Sequence, residues 1–298
     1  MKVEQTVAPV EMKKRKDIAF YNYEYTTLDQ VKISPLDRGY YFGDGVYEVT
    51  KVHNGKCFAL SYHLDRLYRS LRLMKIPATI APDELTELHD VLVEESGIQN
   101  GSVYLQISRG TAPRVHAFPE GITPNILMYV NEDNPHKAEL AENGAKVITI
   151  DDIRWQHCDI KSLNLIPNVL GAEKARQKKC AEAFQFRGDE LMEGTSSNVF
   201  MVRDGILWTR PTDDLILKGI TRQLIITKVA PSCGVTVIER KIDREYLAKA
   251  EEVFYTSTTA GIIPVLEIDK ETVGDGTIGP VTKALQERYA GLMAEGLP

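Results

Sequence analysis

A tight-turn signal followed by two amphipathic helices most constrains how the first half of this chain folds. Asn54-Gly55, a dipeptide favoured in two-residue hairpin turns, separates strand-like segments at Val46–Val52 and Cys57–Leu60. Apolar residues then recur at helical spacing in Leu60, Leu64, Leu67, Leu71 and Met74, and again over Pro82–Ser96. Further strands are predicted at Val103–Ser108 and Ile126–Val130. This order predicts a compact α+β domain over residues 1–130.

The second half of the chain predicts another domain, because 298 residues are enough for two separate cores. The polar stretch 131–136, which contains Pro135, is interpreted as the linker, and residues 137–298 as the larger domain. Its predicted strands are Lys146–Ile150, Asn198–Val202, Ile206–Thr209, Val235–Glu239 and Glu252–Thr256. Its predicted helices are Leu170–Ala183, Gly219–Val229, Arg244–Ala250 and Pro280–Met293.

Charge and composition exclude several classes of function. The net charge of −6 argues against non-specific nucleic-acid binding, and we interpret Lys13-Lys14-Arg15-Lys16 as part of a frayed extension over residues 1–17. The four cysteines show no CxxC spacing and the histidines are scattered, which predicts reduced thiols, no metal site and a cytoplasmic protein. No apolar run is long enough for a signal peptide or a transmembrane helix.

Arg114 and His116, within Arg109–His116, are candidate carboxylate ligands. Residues two apart in an extended segment point to the same side, so the two side chains are spaced to bind one carboxylate. A solvated basic loop would have the same pattern, and from these residues alone both interpretations stay open.

Lys161 and Glu193 are candidates for cofactor chemistry. Lys161 is flanked by apolar and small polar residues, which would desolvate its amine as Schiff-base chemistry requires. Glu193 precedes the hydroxyl residues Thr195-Ser196-Ser197, and a carboxylate beside a pyridine nitrogen keeps that nitrogen protonated. A surface lysine and an exposed acid at a turn are the alternatives, and the hydroxyls would then only shape the turn.

Three segments are candidate phosphate ligands. Lys218–Arg222 opens a predicted helix after a glycine, and helix N-termini bind anions. Thr256–Gly261 is a hydroxyl-rich loop after a strand, although turns and helix caps use the same residues. His63 and Arg66 share one side of a helix, where Arg66 would complete a phosphate site or join a surface network with Asp65.

Taken together, these segments resemble the fold-type IV pyridoxal-phosphate enzymes, and among them the bacterial D-amino-acid aminotransferases. The resemblance runs from about Ile33 to the C-terminus, with all motifs in family order. The matching segments are Leu36–Glu48, the helix with His63 and Arg66, Arg109–His116, Cys158–Asn164, Glu193–Asn198, Leu217–Arg222 and Thr256–Thr259.

The resemblance implies a role for each candidate residue. Lys161 would be the Schiff-base lysine, and Glu193 the partner of the pyridine nitrogen. The other cofactor contacts would come from Arg66, Ser196, Ser197, Ile220, Thr221, Ser257 and Thr258, of which Arg66, Ile220, Thr221 and Thr258 would hold the phosphate. Tyr47, Arg114 and His116 would recognise the substrate carboxylate, and the last two would reach in from the neighbouring subunit of a homodimer. The fold implied has a smaller N-terminal α/β domain and a larger C-terminal domain with a β-barrel-like core.

The activity implied is ping-pong transamination between D-amino acids, with D-alanine and D-glutamate expected, and 2-oxo acids such as 2-oxoglutarate and pyruvate. A branched-chain L-aminotransferase or an aminodeoxychorismate lyase would use the same fold, and a cofactor-binding protein without catalysis is a further alternative. The sequence departs from the family pattern in two places. It has extra N-terminal residues, with Tyr21–Tyr25 in place of a usual Asn-Gly-like turn. It also has Thr195 at a position where serine is common.

Overall fold

The computed structural model of the protein describes residues 16–297. Most of the predicted frayed extension therefore lies outside the described residues. Of its last two members, Lys16 forms an ion pair with Glu132, and the carbonyl of Asp17 accepts a hydrogen bond from Leu28 N at 2.8 Å. No helix in residues 16–297 is both long and apolar enough to span a membrane.

The first half of the chain forms a six-stranded antiparallel sheet of order β2-β1-β6-β5-β3-β4. The strands are β1 (Ile18–Tyr21), β2 (Glu24–Thr27), β3 (Gly45–His53), β4 (Lys56–Phe58), β5 (Gly101–Ser108) and β6 (Asn125–Glu132). The helices are a 3-10 turn (Leu28–Gln30), α1 (Arg38–Phe42), α2 (Leu60–Met74) and α3 (Pro82–Ser96). The apolar faces of α2 and α3 pack on the sheet in one hydrophobic core, as their helical periodicity predicts.

The second half forms a nine-stranded mixed sheet. Its strands are β7 (Ala145–Asp151), β8 (Glu182–Arg187), β9 (Glu190–Gly194), β10 (Asn198–Arg203), β11 (Ile206–Thr209), β12 (Val237–Glu239), β13 (Glu252–Ser257), β14 (Gly261–Ile268) and β15 (Glu271–Thr272). Its helices are α4 (Pro135–Asn143), α5 (Ile166–Gln177), α6 (Ile220–Leu224), which continues as a π-helix (Ile225–Val229) into α7 (Ala230–Ser232), α8 (Arg244–Leu247) and α9 (Pro280–Glu295).

The second sheet curls into a half-barrel. This shape agrees with the β-barrel-like core predicted for the second half of the chain. Its strands are ordered β12-β11-β10-β13-β14-β7-β8-β9, with β15 paired to β14. The last strand in this order, β9, also contacts β10, so the sheet bends back on itself. Side chains from β7, β8, β9, β10, β13 and β14 share one core on the inner face, while α6 and α9 cover part of the outer face. The predicted α+β class is therefore confirmed.

Several elements differ from the sequence predictions. The helix predicted at Leu170–Ala183 lies at Ile166–Gln177, where Pro167 occupies the first turn, and residue 179 has a φ of 60° in the turn that leads to β8. Within the predicted linker 131–136, β6 runs to Glu132 and α4 begins at Pro135, which leaves only residues 133–134 between them. Phe58 and Ala59, from the first half of the chain, pack into a core of the second half. Core packing therefore does not divide the chain at residues 131–136, and the domain boundary stays a prediction.

The β1–β2 hairpin and the strand β14 also escaped prediction, each for an identifiable reason. The β1–β2 hairpin turns at Asn22-Tyr23, where both residues have positive φ, although tyrosine gives no turn signal. The strand β14 contains Pro264, and a proline ordinarily argues against a strand interior.

Asp44 organises the edge of the first sheet through two buried arginines. Its carboxylate accepts bonds from Arg38 Nε at 2.8 Å and from Arg109 Nε and Nη2 at 2.8 and 2.9 Å. Arg38 also donates to the carbonyls of Val115 and His116, at 2.6 and 3.2 Å. The network therefore ties α1 to the segment that carries Arg114 and His116.

Asp44→Ala should lower the free energy of unfolding by about 3–5 kcal/mol, because it leaves two buried guanidinium groups without their counter-charge. Urea unfolding followed by circular dichroism measures the loss. Glu132→Gln is the matched control, since it breaks an ion pair whose two side chains are largely exposed and should change stability far less. Equal effects of the two substitutions would contradict this account of Asp44.

Candidate active site

A cavity of about 560 Å³ collects most of the residues singled out from the sequence. Those that line it are Tyr47, Arg66, Lys161, Glu193, Ser196, Ser197, Ile220, Thr221, Ser257 and Thr258. They come from both halves of the chain, and the cavity lies where the two sheets meet. Arg114 and His116 do not line this cavity.

Lys161 is positioned by pairing between its own segment and the start of β3. Tyr47 N donates to the carbonyl of Lys161 and Leu163 N donates to the carbonyl of Gly45, both at 3.0 Å. The Lys161 Nζ lies 4.1 Å from the centroid of the Tyr47 ring, within the range of a cation–π contact. The backbone of this segment is thus fixed against β3, and the amine lies in the cavity beside an aromatic face.

Glu193, at the end of β9, is a buried carboxylate surrounded by donors. Asn198 Nδ2 donates to its Oε2 at 2.9 Å, Leu217 N donates at 3.1 Å, and the guanidinium of Arg154 forms an ion pair with it. Burial raises the pKa of the Glu193 carboxyl, while Arg154 and the hydrogen bonds act against that rise. The arrangement holds a polar carboxyl group at a defined place in the cavity wall.

Arg154 is a site residue that the sequence reasoning missed. Its Nε donates to Asp152 Oδ1 at 2.9 Å, so one carboxylate orients the guanidinium that contacts the other. Burial alone would lower the pKa of Arg154, but Glu193 and Asp152 raise it above its usual value, so the guanidinium stays charged. The signal in the sequence was the Asp152-x-Arg154 spacing, which places both side chains on one side of an extended segment.

The hydroxyl residues after Glu193 converge on a second missed residue, Glu182. Thr195 N and Ser197 Oγ donate to its carboxylate at 2.9 and 2.8 Å, and Ser196 Oγ lies 3.4 Å from it. Glu182 opens β8 and is buried, whereas the sequence placed this position in a helix. These contacts shape the turn, so the contacts of Ser196 and Ser197 with a cofactor stay predictions.

Arg66 is held by Glu48 rather than by its neighbour Asp65. Its Nε and Nη2 donate to the two Glu48 oxygens at 2.8 Å each, and its Nη1 donates to the carbonyl of Lys218 at 3.0 Å. The alternative of a surface network with Asp65 is therefore wrong. Although burial alone would raise it, Arg66 and His63 hold the pKa of Glu48 well below its usual range, and burial lowers the pKa of His63.

The start of α6 lies against this arginine. Gly219 precedes the helix, and a Cβ there would lie 2.1 Å from Asn198 Oδ1, so only glycine fits beside that amide. The first N–H groups of a helix have no partner within the helix, and those of Ile220 and Thr221 belong to this turn. Together with Ser257 at the end of β13 and Thr258 just after it, they form a cavity wall suited to an anion.

Arg114 and His116 lie outside this cavity on an exposed segment. The Arg114 guanidinium lies 5.1 Å from the Phe42 ring, and the His116 ring also lies 5.1 Å from it. Both side chains therefore lie beside the same ring, but no strand is assigned to their segment, so their joint binding of one carboxylate stays a prediction. Within one chain, neither side chain lines the cavity that contains Lys161.

Comparisons with known proteins place this chain in a family. The model of the family described as amino-transferase class IV matches residues 45–268. The chain belongs to the class IV aminotransferases. The predicted resemblance is therefore confirmed, and the cavity walls fall within the matched residues.

Similar proteins share most of their length with this class IV aminotransferase. A protein of Staphylococcus aureus (strain COL) named D-alanine aminotransferase is 41% identical over 91% of this chain and 95% of its own. A D-alanine aminotransferase of Listeria monocytogenes serotype 1/2a (strain 10403S) is 43% identical over 85% of this chain and 88% of its own.

The fold is shared with a solved branched-chain amino acid aminotransferase from Escherichia coli. That structure has a TM-score of 0.87 at 27% identity and covers 93% of this chain and 94% of its own. The T.th. branched-chain amino acid aminotransferase, solved with pyridoxamine 5′-phosphate, has a TM-score of 0.85 at 25% identity and covers 95% of this chain and 96% of its own. The fold-type IV architecture is therefore confirmed.

The cavity fits pyridoxal 5′-phosphate, the cofactor of this family. It offers a lysine amine, a buried carboxyl group for a pyridine nitrogen, and a wall of arginine, hydroxyls and helix N–H groups for a phosphate. The buried Thr256 Oγ1 lines the cavity and has no hydrogen-bond partner among the described residues, which agrees with a ligand at this wall. Arg66, Ile220, Thr221 and Thr258 would hold the phosphate.

Gly219→Ala should weaken binding of pyridoxal 5′-phosphate by about tenfold or more, because the new methyl group displaces Asn198 from its bonds to Glu193 and Leu217. Titration of the cofactor-free protein, followed by absorbance, measures the affinity. Gly291→Ala is the control, because its Cβ meets only the end of the Arg288 side chain. Unchanged affinity in a folded Gly219→Ala protein would refute this role of the glycine.

Proposed function

We propose that this protein is a pyridoxal-phosphate-dependent D-amino-acid aminotransferase. The observation that carries the proposal is the convergence of the Lys161 amine, the buried Glu193 carboxyl and an anion-binding wall in one cavity. Relatives named D-alanine aminotransferase support the choice of D-amino acids. D-alanine and D-glutamate are the expected donors, and pyruvate and 2-oxoglutarate the expected acceptors, in a ping-pong cycle.

Lys161 would act as the base and the acid of the reaction. Bound pyridoxal 5′-phosphate supplies an electron sink for the charge left when a proton leaves the substrate Cα. The Lys161 amine would take that proton as a general base and give it back as a general acid. The pairing of residues 161–163 with the start of β3 keeps the amine in place.

Glu193 would hold the pyridine nitrogen in its protonated form. A carboxylate close to that nitrogen stabilises its positive charge, and the electron sink depends on it. Arg154, Asn198 and Leu217 N fix the carboxyl group in one orientation. Their donors favour the ionised carboxylate that this task needs.

The substrate carboxylate would be bound by Tyr47 of one chain and by Arg114 and His116 of the partner subunit in a homodimer. Arg114 and His116 are exposed and absent from the cavity wall of their own chain, which is what such an exchange requires. Exposed apolar side chains at Val115 and Phe118 offer surface for a subunit contact. A fixed carboxylate on one side of the cofactor directs Cα–H toward Lys161 for one enantiomer only.

A panel of D- and L-amino acids tests the proposal directly. Production of 2-oxo acids from D-alanine and D-glutamate, with little from L-leucine or L-valine, is the expected result. Preference for branched-chain L-amino acids would instead support the activity named for the solved structures. Release of pyruvate from aminodeoxychorismate without net amino transfer would point to a lyase, and an inert protein to cofactor binding alone.

Lys161→Ala should abolish nearly all turnover, because both imine exchange and proton transfer depend on this amine. Borohydride should fix the yellow chromophore covalently in the wild-type protein and not in the variant, as mass spectrometry of the peptide containing residue 161 would reveal. Lys178→Ala, at an exposed lysine, is the control. Near-normal turnover of Lys161→Ala would show that Lys161 does not have the proposed catalytic role.

Mixing two inactive variants tests whether Arg114 serves the neighbouring subunit. Arg114→Ala should lose about ten- to a hundredfold in activity on D-alanine, since one charged hydrogen-bond donor to the carboxylate is gone. If Arg114 acts across the interface, a mixed dimer with Lys161→Ala holds one intact site. Random reassociation should then recover about a quarter of wild-type activity. No recovery in verified mixed dimers would mean that Arg114 and Lys161 serve the same subunit's site.

A further inference from the structure

Lys137, on the first turn of α4, contributes a positive charge to the cavity that the reaction described above does not use. It lines the same cavity as Lys161, and its side chain is half-buried. Its Nζ donates a hydrogen bond to Thr259 Oγ1. Thr259 adjoins Thr258, so Lys137 reaches the loop that closes the cofactor end of the cavity.

This ammonium group has no carboxylate partner among residues 16–297. Asp133 acts on Lys137 electrostatically but forms its ion pair with Lys51 instead. Burial lowers the pKa of Lys137, Asp133 acts in the opposite direction, and Lys51 lowers that pKa further. Two lysines therefore face one carboxylate at this corner, and only Lys51 forms an ion pair with it.

The strand β3 runs from the Lys161 amine toward this corner of the cavity. Tyr47, Val49 and Lys51 lie two residues apart and point to one side of the strand. Tyr47 faces Lys161 and Val49 lines the middle of the cavity, while Lys51 lies beside Asp133 near Lys137. Two residues of strand span about 7 Å. An extended five-carbon dicarboxylate bound near Tyr47 therefore reaches past Val49, and Lys137 lines the same cavity.

We propose that Lys137 binds the distal carboxylate of dicarboxylic substrates, the class to which D-glutamate and 2-oxoglutarate belong. This assignment rests on the proposed function. It makes Lys137 a specificity residue: the common end of every substrate is bound near Tyr47, and the charged tail is recognised by Lys137. A short substrate such as pyruvate has no group that reaches Lys137.

Anion recognition at this corner has a second conceivable source, the cofactor phosphate, because Thr258 and Thr259 are neighbours. The charge balance favours the substrate, since Arg66 and the start of α6 already supply a phosphate wall. The ammonium group of a lysine has three N–H donors. One of them bonds to Thr259, and two are left for a carboxylate. The experiment therefore measures cofactor affinity alongside substrate selectivity.

The test is a half-reaction of the enzyme loaded with pyridoxamine 5′-phosphate, mixed with 2-oxoglutarate or pyruvate and followed by absorbance. Lys137→Gln should lower the second-order rate constant for 2-oxoglutarate at least about tenfold more than that for pyruvate, through weaker binding rather than a slower maximal rate. Lys137→Arg, which keeps the charge, should restore much of the selectivity. Lys146→Gln, at an exposed lysine paired with Glu267, should leave the ratio as in the wild type.

Two results would overturn the assignment. A ratio that stays unchanged, with or without equal losses for both oxo acids, would mean that Lys137 does not contact the distal carboxylate. Weaker pyridoxal 5′-phosphate binding by Lys137→Gln with the ratio preserved would assign Lys137 to the phosphate. The proposed function fails separately, if the wild-type protein transfers no amino group from D-alanine to either acceptor, and the assignment of Lys137 then fails with it.

Discussion

The paired hydrogen bonds between Glu48 and Arg66 are the interaction on which the site most depends. Glu48 belongs to β3 of the first sheet, Arg66 to α2, and the third donor of Arg66 reaches Lys218 in the second half of the chain. One buried ion pair thus joins the two halves at the wall where a phosphate would bind. Its loss would leave a buried charge without compensation and free the segment that opens α6.

The rest of the cavity is built in the same way, from charged groups fixed by other charged groups. Asp152 holds Arg154, which contacts Glu193, while Glu182 accepts the hydroxyls of the following turn. Such groups are stable in a protein interior only when their hydrogen bonds are made. Lys137 departs from this pattern because it lacks a carboxylate partner in the described part of the chain, and for that reason it indicates a ligand.

Local sequence patterns predicted the elements with strong periodicity and clear boundaries. The helices over residues 60–74 and 82–96, and the hairpin at Asn54-Gly55, agree with the structure because amphipathic spacing and turn chemistry act over a few residues. The start of the strand at Glu182 was instead assigned to a helix, and the strand through Pro264 was missed. In both places sheet pairing with distant strands outweighs the local signal.

The motifs of the sequence by themselves determined the family and named Lys161, Glu193, Arg66 and the anion-binding segments, because reaction chemistry demands particular residue types. Only the tertiary structure decided which partners orient them: Glu48 for Arg66, and Arg154 for Glu193. It also decided that Lys137 faces the cavity while Arg114 and His116 do not line it. These relations join residues far apart in the chain, and their geometry depends on how the two sheets pack, which no local pattern encodes.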